Sequence, residues 1–111
     1  MSFDDEYEWR DIGASDDWPV SAARVVHLGA RRIAVVRSHD GWYAVKNVCP
    51  HRNLPLVPDQ QSSQQLNLED GKLRCPHHGW AFCLADGEGP EGSCLHTYPL
   101  RELDGRLLIG I

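Results

Sequence analysis

Asp70-Gly71-Lys72-Leu73-Arg74-Cys75-Pro76-His77-His78-Gly79-Trp80-Ala81-Phe82-Cys83-Leu84-Ala85-Asp86-Gly87 is the stretch on which the fold turns. Within it, Lys72 to Cys75 and Trp80 to Leu84 are short apolar and aromatic runs that read as strands. An Asp-Gly pair stands at each end, a strong hairpin signal between apolar runs because glycine accepts positive φ without a steric cost. Between the two strands lie Cys75, Pro76, His77 and His78. The proline removes a backbone donor and stiffens the turn, so that a thiol and an imidazole a few residues apart can reach one small object.

The same layout recurs upstream, where the strand-like run Trp42 to Val48 leads directly into Cys49-Pro50-His51. Tyr7 to Ile12, Arg24 to Leu28, Ile33 to Arg37, Thr97 to Leu103 and Arg106 to Ile111 read as further strands. Gly29-Ala30, Asp40-Gly41 and Asp104-Gly105 punctuate them, which predicts antiparallel pairing. Periodicity of 3.6 is nowhere sustained. The only helix-like piece is Asp16 to Ala23, with Pro19 near its start, and at most one or two turns are expected there. Val57 to Gln65 is polar and opens on Val57-Pro58, as a surface loop would. With 111 residues and no compositional break, one all-β domain spanning 1–111 accounts for the chain.

The apolar fraction of 41% and charged fraction of 24% are those of a globular chain. A net charge of -5, from 16 acidic residues against 11 Lys and Arg, would repel a phosphate backbone, so no nucleic-acid partner is expected. An acidic surface would instead steer the chain toward a basic patch on a protein. No apolar run is long enough to span a bilayer, and Met1 to Glu6 is acidic where a signal peptide would be basic, so no membrane association and a cytoplasmic location are expected. Four cysteines in such a setting point to metal or redox chemistry rather than to disulfides.

Each of the two pairs, Cys49 with His51 and Cys75 with His78, couples one thiolate with one imidazole. These donors suit zinc or an iron–sulfur cluster. Structural zinc sites of the finger type present paired cysteines and then paired histidines, whereas mixed pairs fit a cluster in which two Cys hold one iron and two His the other. A zinc-stabilised interaction module remains the reading from a different class.

Through Cys49-Pro50-His51-Arg52 and Cys75-Pro76-His77-His78-Gly79-Trp80-Ala81-Phe82 the sequence resembles the Rieske [2Fe–2S] family. The resemblance implies an antiparallel β-sandwich or barrel with a small cluster-binding subdomain, approximately residues 46–95, formed by two ligand loops. It also implies one [2Fe–2S] cluster of Rieske type, with Cys49 and Cys75 on the inner iron and His51 and His78 on the outer one. Gly89-Pro90 falls where the family's proline-containing third loop covers the cluster. Leu54 and His77 occupy the positions that carry a disulfide in the respiratory-complex type. Trp80 and Phe82 stand where that type has a Ser and a Tyr whose hydroxyls bond cluster and ligand sulfur. Without those hydroxyls the potential is expected near the low end of the range of about -150 to +300 mV. This is the pattern of the ferredoxin branch.

Function follows from the same resemblance. It implies a one-electron carrier, not itself an enzyme, between a flavin reductase and a terminal oxygenase; the alternative is the small subunit that serves the large subunit of an NADH-dependent nitrite reductase. Among the remaining residues, Cys83 and Cys94 are expected to be small buried hydrophobes. Trp9, Trp18 and Trp42 are expected to be packing aromatics. His27, His39 and His96 are read as surface or strand residues. Trp80, directly after the second pair, either shields the site or meets a partner.

Overall fold

The computed structural model describes residues 7–20, 22–38, 41–49, 56–57, 68–69, 71–74 and 80–111. They form β1 (Trp9–Ala14), β2 (Ala22–Leu28), β3 (Arg31–Ser38), β4 (Gly41–Lys46), β5 (Leu68–Glu69), β6 (Lys72–Arg74), β7 (Ala81–Cys83), β8 (Thr97–Tyr98), β9 (Leu100–Leu103) and β10 (Arg106–Gly110). Three sheets result, ordered β1-β10-β9, β2-β3-β4-β8 and β5-β6-β7, and every pairing is antiparallel. The all-β architecture expected from the turn signals is therefore the one observed. Asp104-Gly105 shows the mechanism: φ is 51° and 76° at the two residues, and the turn pairs Leu103 with Arg106. Positive φ at both central positions gives a two-residue loop whose twist matches that of the strands it joins.

The middle sheet is covered on both faces, and β3 shows how. Its side chains alternate between faces, and residues 33–36 are buried without exception. Ile33 and Val35 pack with Trp18, Ala44, Leu107 and Ile109, toward the β1-β10-β9 sheet. Ala34 and Val36 pack with Val45, Leu56, Val57, Leu73 and Phe82, toward the β5-β6-β7 sheet. Two apolar cores thus share one strand.

Three expectations are corrected. The segment Asp16 to Ala23 holds a single 3-10 turn, Ser15–Asp17, and Ala22 and Ala23 already belong to β2. Burial of Trp18 decides this. Its ring lies edge-on to Trp42 at 5.8 Å and its Nε1–H donates to the Val35 carbonyl at 3.0 Å, while its backbone is extended at φ -106°, ψ 110°. A helix through this position would carry the indole off the Val35 carbonyl. Second, Thr97 to Leu103 is two strands, because at Pro99, which has no N–H to give a ladder, the chain passes from the middle sheet to the first. Third, β5 was not expected. Trp9, Trp18 and Trp42 do pack: Trp18 is buried, and Arg101 and Arg37 lie over Trp9 and Trp42 at 4.8 and 5.2 Å.

Candidate metal centre

Strand β4 runs outward to Lys46, and Asn47 and Val48 carry the chain to Cys49. Cys49 is a free thiol with no exposed surface, packed in the same core as Val45, Leu56, Val57, Leu73 and Phe82. It is the one predicted ligand among the described residues. His51, Cys75 and His78 lie outside them, as do His39, Leu54 and His77. What the structure places is the framework on either side. The β6–β7 hairpin pairs Leu73 with Phe82 and Arg74 with Ala81, so the segment bearing Cys75 and His78 joins two paired strand ends.

The segment bearing Cys49 and His51 is closed differently. Asn47 is completely buried, its Nδ2 donates to the Val57 carbonyl at 2.8 Å, and its Oδ1 accepts the Val57 N–H at 2.8 Å. The Asn47 backbone N–H is held in turn by the Arg32 carbonyl at 2.9 Å on β3. A buried primary amide is costly unless its hydrogen-bonding groups find partners, and here both ends of the amide are matched by one residue. Sequence reasoning passed over Asn47. The signal was the period-2 alternation past the strand end, in which Val45 points inward, Lys46 outward and Asn47 inward again.

After β7 the chain folds back on the hairpin. The Gly87 N–H donates to the Cys83 carbonyl at 2.7 Å, the Cys83 N–H to the Glu88 carbonyl at 2.8 Å, and the Leu95 N–H to the Gly87 carbonyl at 2.8 Å. Gly89 and Pro90 form the tip, where the Gly89 N–H reaches the Ser93 carbonyl at 2.9 Å and the Ser93 hydroxyl donates to the Pro90 carbonyl at 2.6 Å. A Cβ at Gly89 would run into the Phe82 ring and the Ser93 hydroxyl. The proline-bearing loop is thus seated on Phe82, which is fully buried and lies tilted to the half-buried Trp80 with ring centroids 6.4 Å apart.

Cys83 and Cys94 depart from expectation. Cys83 is half-buried and Cys94 exposed, and both are free thiols. Strand β7 buries Phe82, which turns its neighbour Cys83 to the opposite face. Cys94 sits in an isolated bridge with Glu88, at the edge of the returning loop. Asp86 is held below the usual carboxylate range, first by the backbone N–H of Glu88 at 3.0 Å and then by the Cys83 thiol. His27 and His96 are exposed, as expected.

The donor chemistry fits an iron–sulfur cluster. Cys49 supplies a thiol shielded from water by apolar neighbours, and the other three predicted donors belong to segments anchored at Leu56 and Val57 and at Arg74 and Ala81. Among the described residues no group of three or more metal-binding side chains converges.

Comparison with known proteins agrees with this framework. The family model described as Rieske [2Fe–2S] domain matches residues 8–101. The ferredoxin component of an alkene monooxygenase system from Xanthobacter autotrophicus is 32% identical over 108 residues, covering 96% of this chain and 84% of that one. The ferredoxin subunit of anthranilate 1,2-dioxygenase from Burkholderia cepacia is 29% identical over 109 residues, with 94% and 93% covered. A Mycobacterium tuberculosis structure assigned as the small subunit of an NADH-dependent nitrite reductase superposes with a TM-score of 0.76 at 24% identity, covering 95% of this chain and 96% of that one. A chain from the complex of reduced oxygenase and oxidised ferredoxin in carbazole 1,9a-dioxygenase does so with a TM-score of 0.73 at 24% identity, over 92% of each chain. The two structural likenesses speak for the fold.

Proposed function

This chain belongs to the Rieske [2Fe–2S] domain family and carries one Rieske-type cluster, and from that premise we propose that it is a one-electron carrier passing electrons from a flavin reductase to a terminal oxygenase. The observation that carries the reading is the common origin of the two ligand segments. Cys49 on the first, and Leu73 and Phe82 flanking the second, pack in one buried core. In this reading Cys49 and Cys75 hold the inner iron and His51 and His78 the outer one, and the complete burial of Cys49 supports its inner position. The bound cluster supplies the ability to take up and release one electron. The chain's own part is to fix the ligand segments, through the Asn47 amide on one side and the β6–β7 hairpin on the other.

The reading takes residues 1–111 as one domain whose substrate chemistry is left to the partner, and it sets the carrier in the cytoplasm. Free thiols at Cys83 and Cys94 support a reducing setting. No helix among the described residues is long and apolar enough to cross a membrane. A second reading, the small subunit of an NADH-dependent nitrite reductase, is favoured by the near-complete overlap with the Mycobacterium tuberculosis structure.

Visible absorption and reduced-state EPR of freshly purified protein, with iron and acid-labile sulfide measured on the same sample, test the ligand set. Equal iron and sulfide, with an average g below that of all-cysteine ligation, is the expected result. A colourless protein holding zinc without sulfide would end the electron-carrier reading. Co-purification then separates the two assemblies, an oxygenase and a reductase in one case and a nitrite reductase large subunit in the other.

A further inference from the structure

We propose that a basic groove beside the first ligand segment receives an acidic surface segment of the protein with which this chain exchanges electrons, an inference that rests on the carrier reading above. Arg31 and Arg32 open β3 and Lys46 ends β4, and the register that pairs Ile33 with Lys46 gathers all three cations at one end of the middle sheet. They line an open groove of about 1040 Å³ together with Val48, His96 and Tyr98. The Lys46 N–H donates to the His96 carbonyl at 2.8 Å, tying two walls together, and the His96 ring stands edge-on to Tyr98 at 4.5 Å.

Among the described residues the groove is basic, opposite in sign to the chain's net charge. The net charge is -5, yet among the described residues no Asp or Glu lines the groove. Outside the groove, Arg10 is matched by Glu8, Arg24 by Asp17 and Arg106 by Asp11, and Arg37 lies on the Trp18 carbonyl and the Trp42 ring. Arg31, Arg32 and Lys46 have no carboxylate partner among the described residues, and all three are exposed. Like charges lining a concave wall focus a field on whatever enters it. Net charge alone would have predicted a basic partner; this face calls for an acidic one.

Two features identify the occupant as a protein segment rather than a small anion. The cations are exposed, so each contact with a carboxylate is weak and a single small anion gains little from them. A groove this wide with several such contacts suits a chain that carries several carboxylates. Val48 lines the groove and precedes Cys49 directly, so a partner seated there meets the chain one residue before the first predicted ligand, where transfer of an electron would be needed.

The test uses the cluster-loaded full chain and a deca-glutamate peptide, with affinity measured by calorimetry at low ionic strength. Binding that weakens with added salt is expected, and the combined substitution Arg31→Gln, Arg32→Gln, Lys46→Gln should weaken it about tenfold. A control with the same change of net charge, Arg10→Gln, Arg24→Gln, Lys72→Gln, should weaken it less than about twofold. Equal losses in the two variants, or no binding by the parent, overturn the proposal. So do tighter binding of tripolyphosphate than of the peptide, which makes the groove a small-anion site, and a salt-sensitive dimer that the groove substitutions dissociate, which makes the occupant a second copy. Reduced-state EPR on the same samples keeps the two levels apart, because an intact cluster with no groove-dependent binding defeats the docking proposal alone, whereas absence of the cluster defeats the carrier reading.

Discussion

Asn47 and Val57 are joined by two hydrogen bonds of 2.8 Å running in opposite directions between one side-chain amide and one backbone residue. The pair closes the segment from 47 to 57, which includes Cys49 and His51. Asn47→Ala would leave a buried N–H and a buried carbonyl at Val57 unpaired, at about 1–3 kcal/mol each. A loss of about 2–6 kcal/mol in chemical denaturation is expected, with faster release of iron at fixed temperature. Asn47→Asp keeps the acceptor for the Val57 N–H but removes the donor, and it should not rescue the loss.

Gly89 marks where the proline loop touches the hairpin. In Gly89→Ala the added methyl meets the Phe82 ring and the Ser93 hydroxyl, and overpacking of this kind costs about 1–3 kcal/mol. Phe82→Leu makes room. The double variant Gly89→Ala, Phe82→Leu should therefore be more stable than the sum of the two single losses predicts, a coupling that a double-mutant cycle measures directly. Strict additivity would mean that the loop can move away from Phe82 at no cost.

The four cysteines should separate into two classes by metal content. Cys49→Ser and Cys75→Ser are expected to abolish the visible absorption of the cluster, together with its iron and sulfide. Cys83→Ser and Cys94→Ser should keep all three near parent levels, because Cys83 contacts the Asp86 carboxylate and Cys94 lies at an exposed loop edge. Cluster loss in either of the latter two would require a new ligand assignment.

Acid should weaken the join between the first and last strands. Arg106 holds both carboxylate oxygens of Asp11, at 2.9 and 3.1 Å, and that hydrogen bonding, followed by the Gly13 N–H, keeps the Asp11 carboxyl below its ordinary value. A carboxyl depressed by folding adds stability above its unfolded pKa of about 4, and that stability is lost as the pH falls through the lower folded value. Both groups are exposed, so the effect is small. Denaturation midpoints of the parent and of Asp11→Asn should differ at neutral pH and converge in acid, with divergence toward low pH counting against the assignment.

Hairpins were the part of the fold most open to reading in advance, because the chemistry of a turn is local. Asp104-Gly105 needs two positive φ values, and few other pairs supply them as readily. The predicted ligands stood out for the same reason, in Cys49-Pro50-His51 and Cys75-Pro76-His77-His78. What escaped depended on distant partners. Trp18 displaces a short helix only because Val35 offers its carbonyl, and the two residues of β5 form a strand only against β6. Asn47 looked like one more polar residue at a strand end until Val57 was placed beside it. The basic groove was hidden because overall charge sums the chain and carries no information about which residues the register brings together.

The double-sided burial of β3 has a consequence for how the molecule opens. Each face of this strand belongs to a different core, so removal of either cover exposes half of its apolar side chains to water. Neither the outer sheet nor the β6–β7 hairpin can detach fully without weakening what the other rests on. The molecule should therefore have no stable half. Amide protons of β3, from Ile33 to Val36, should exchange with solvent only through global unfolding, while those of the returning loop around Gly89 exchange through smaller openings that leave the rest of the chain in place.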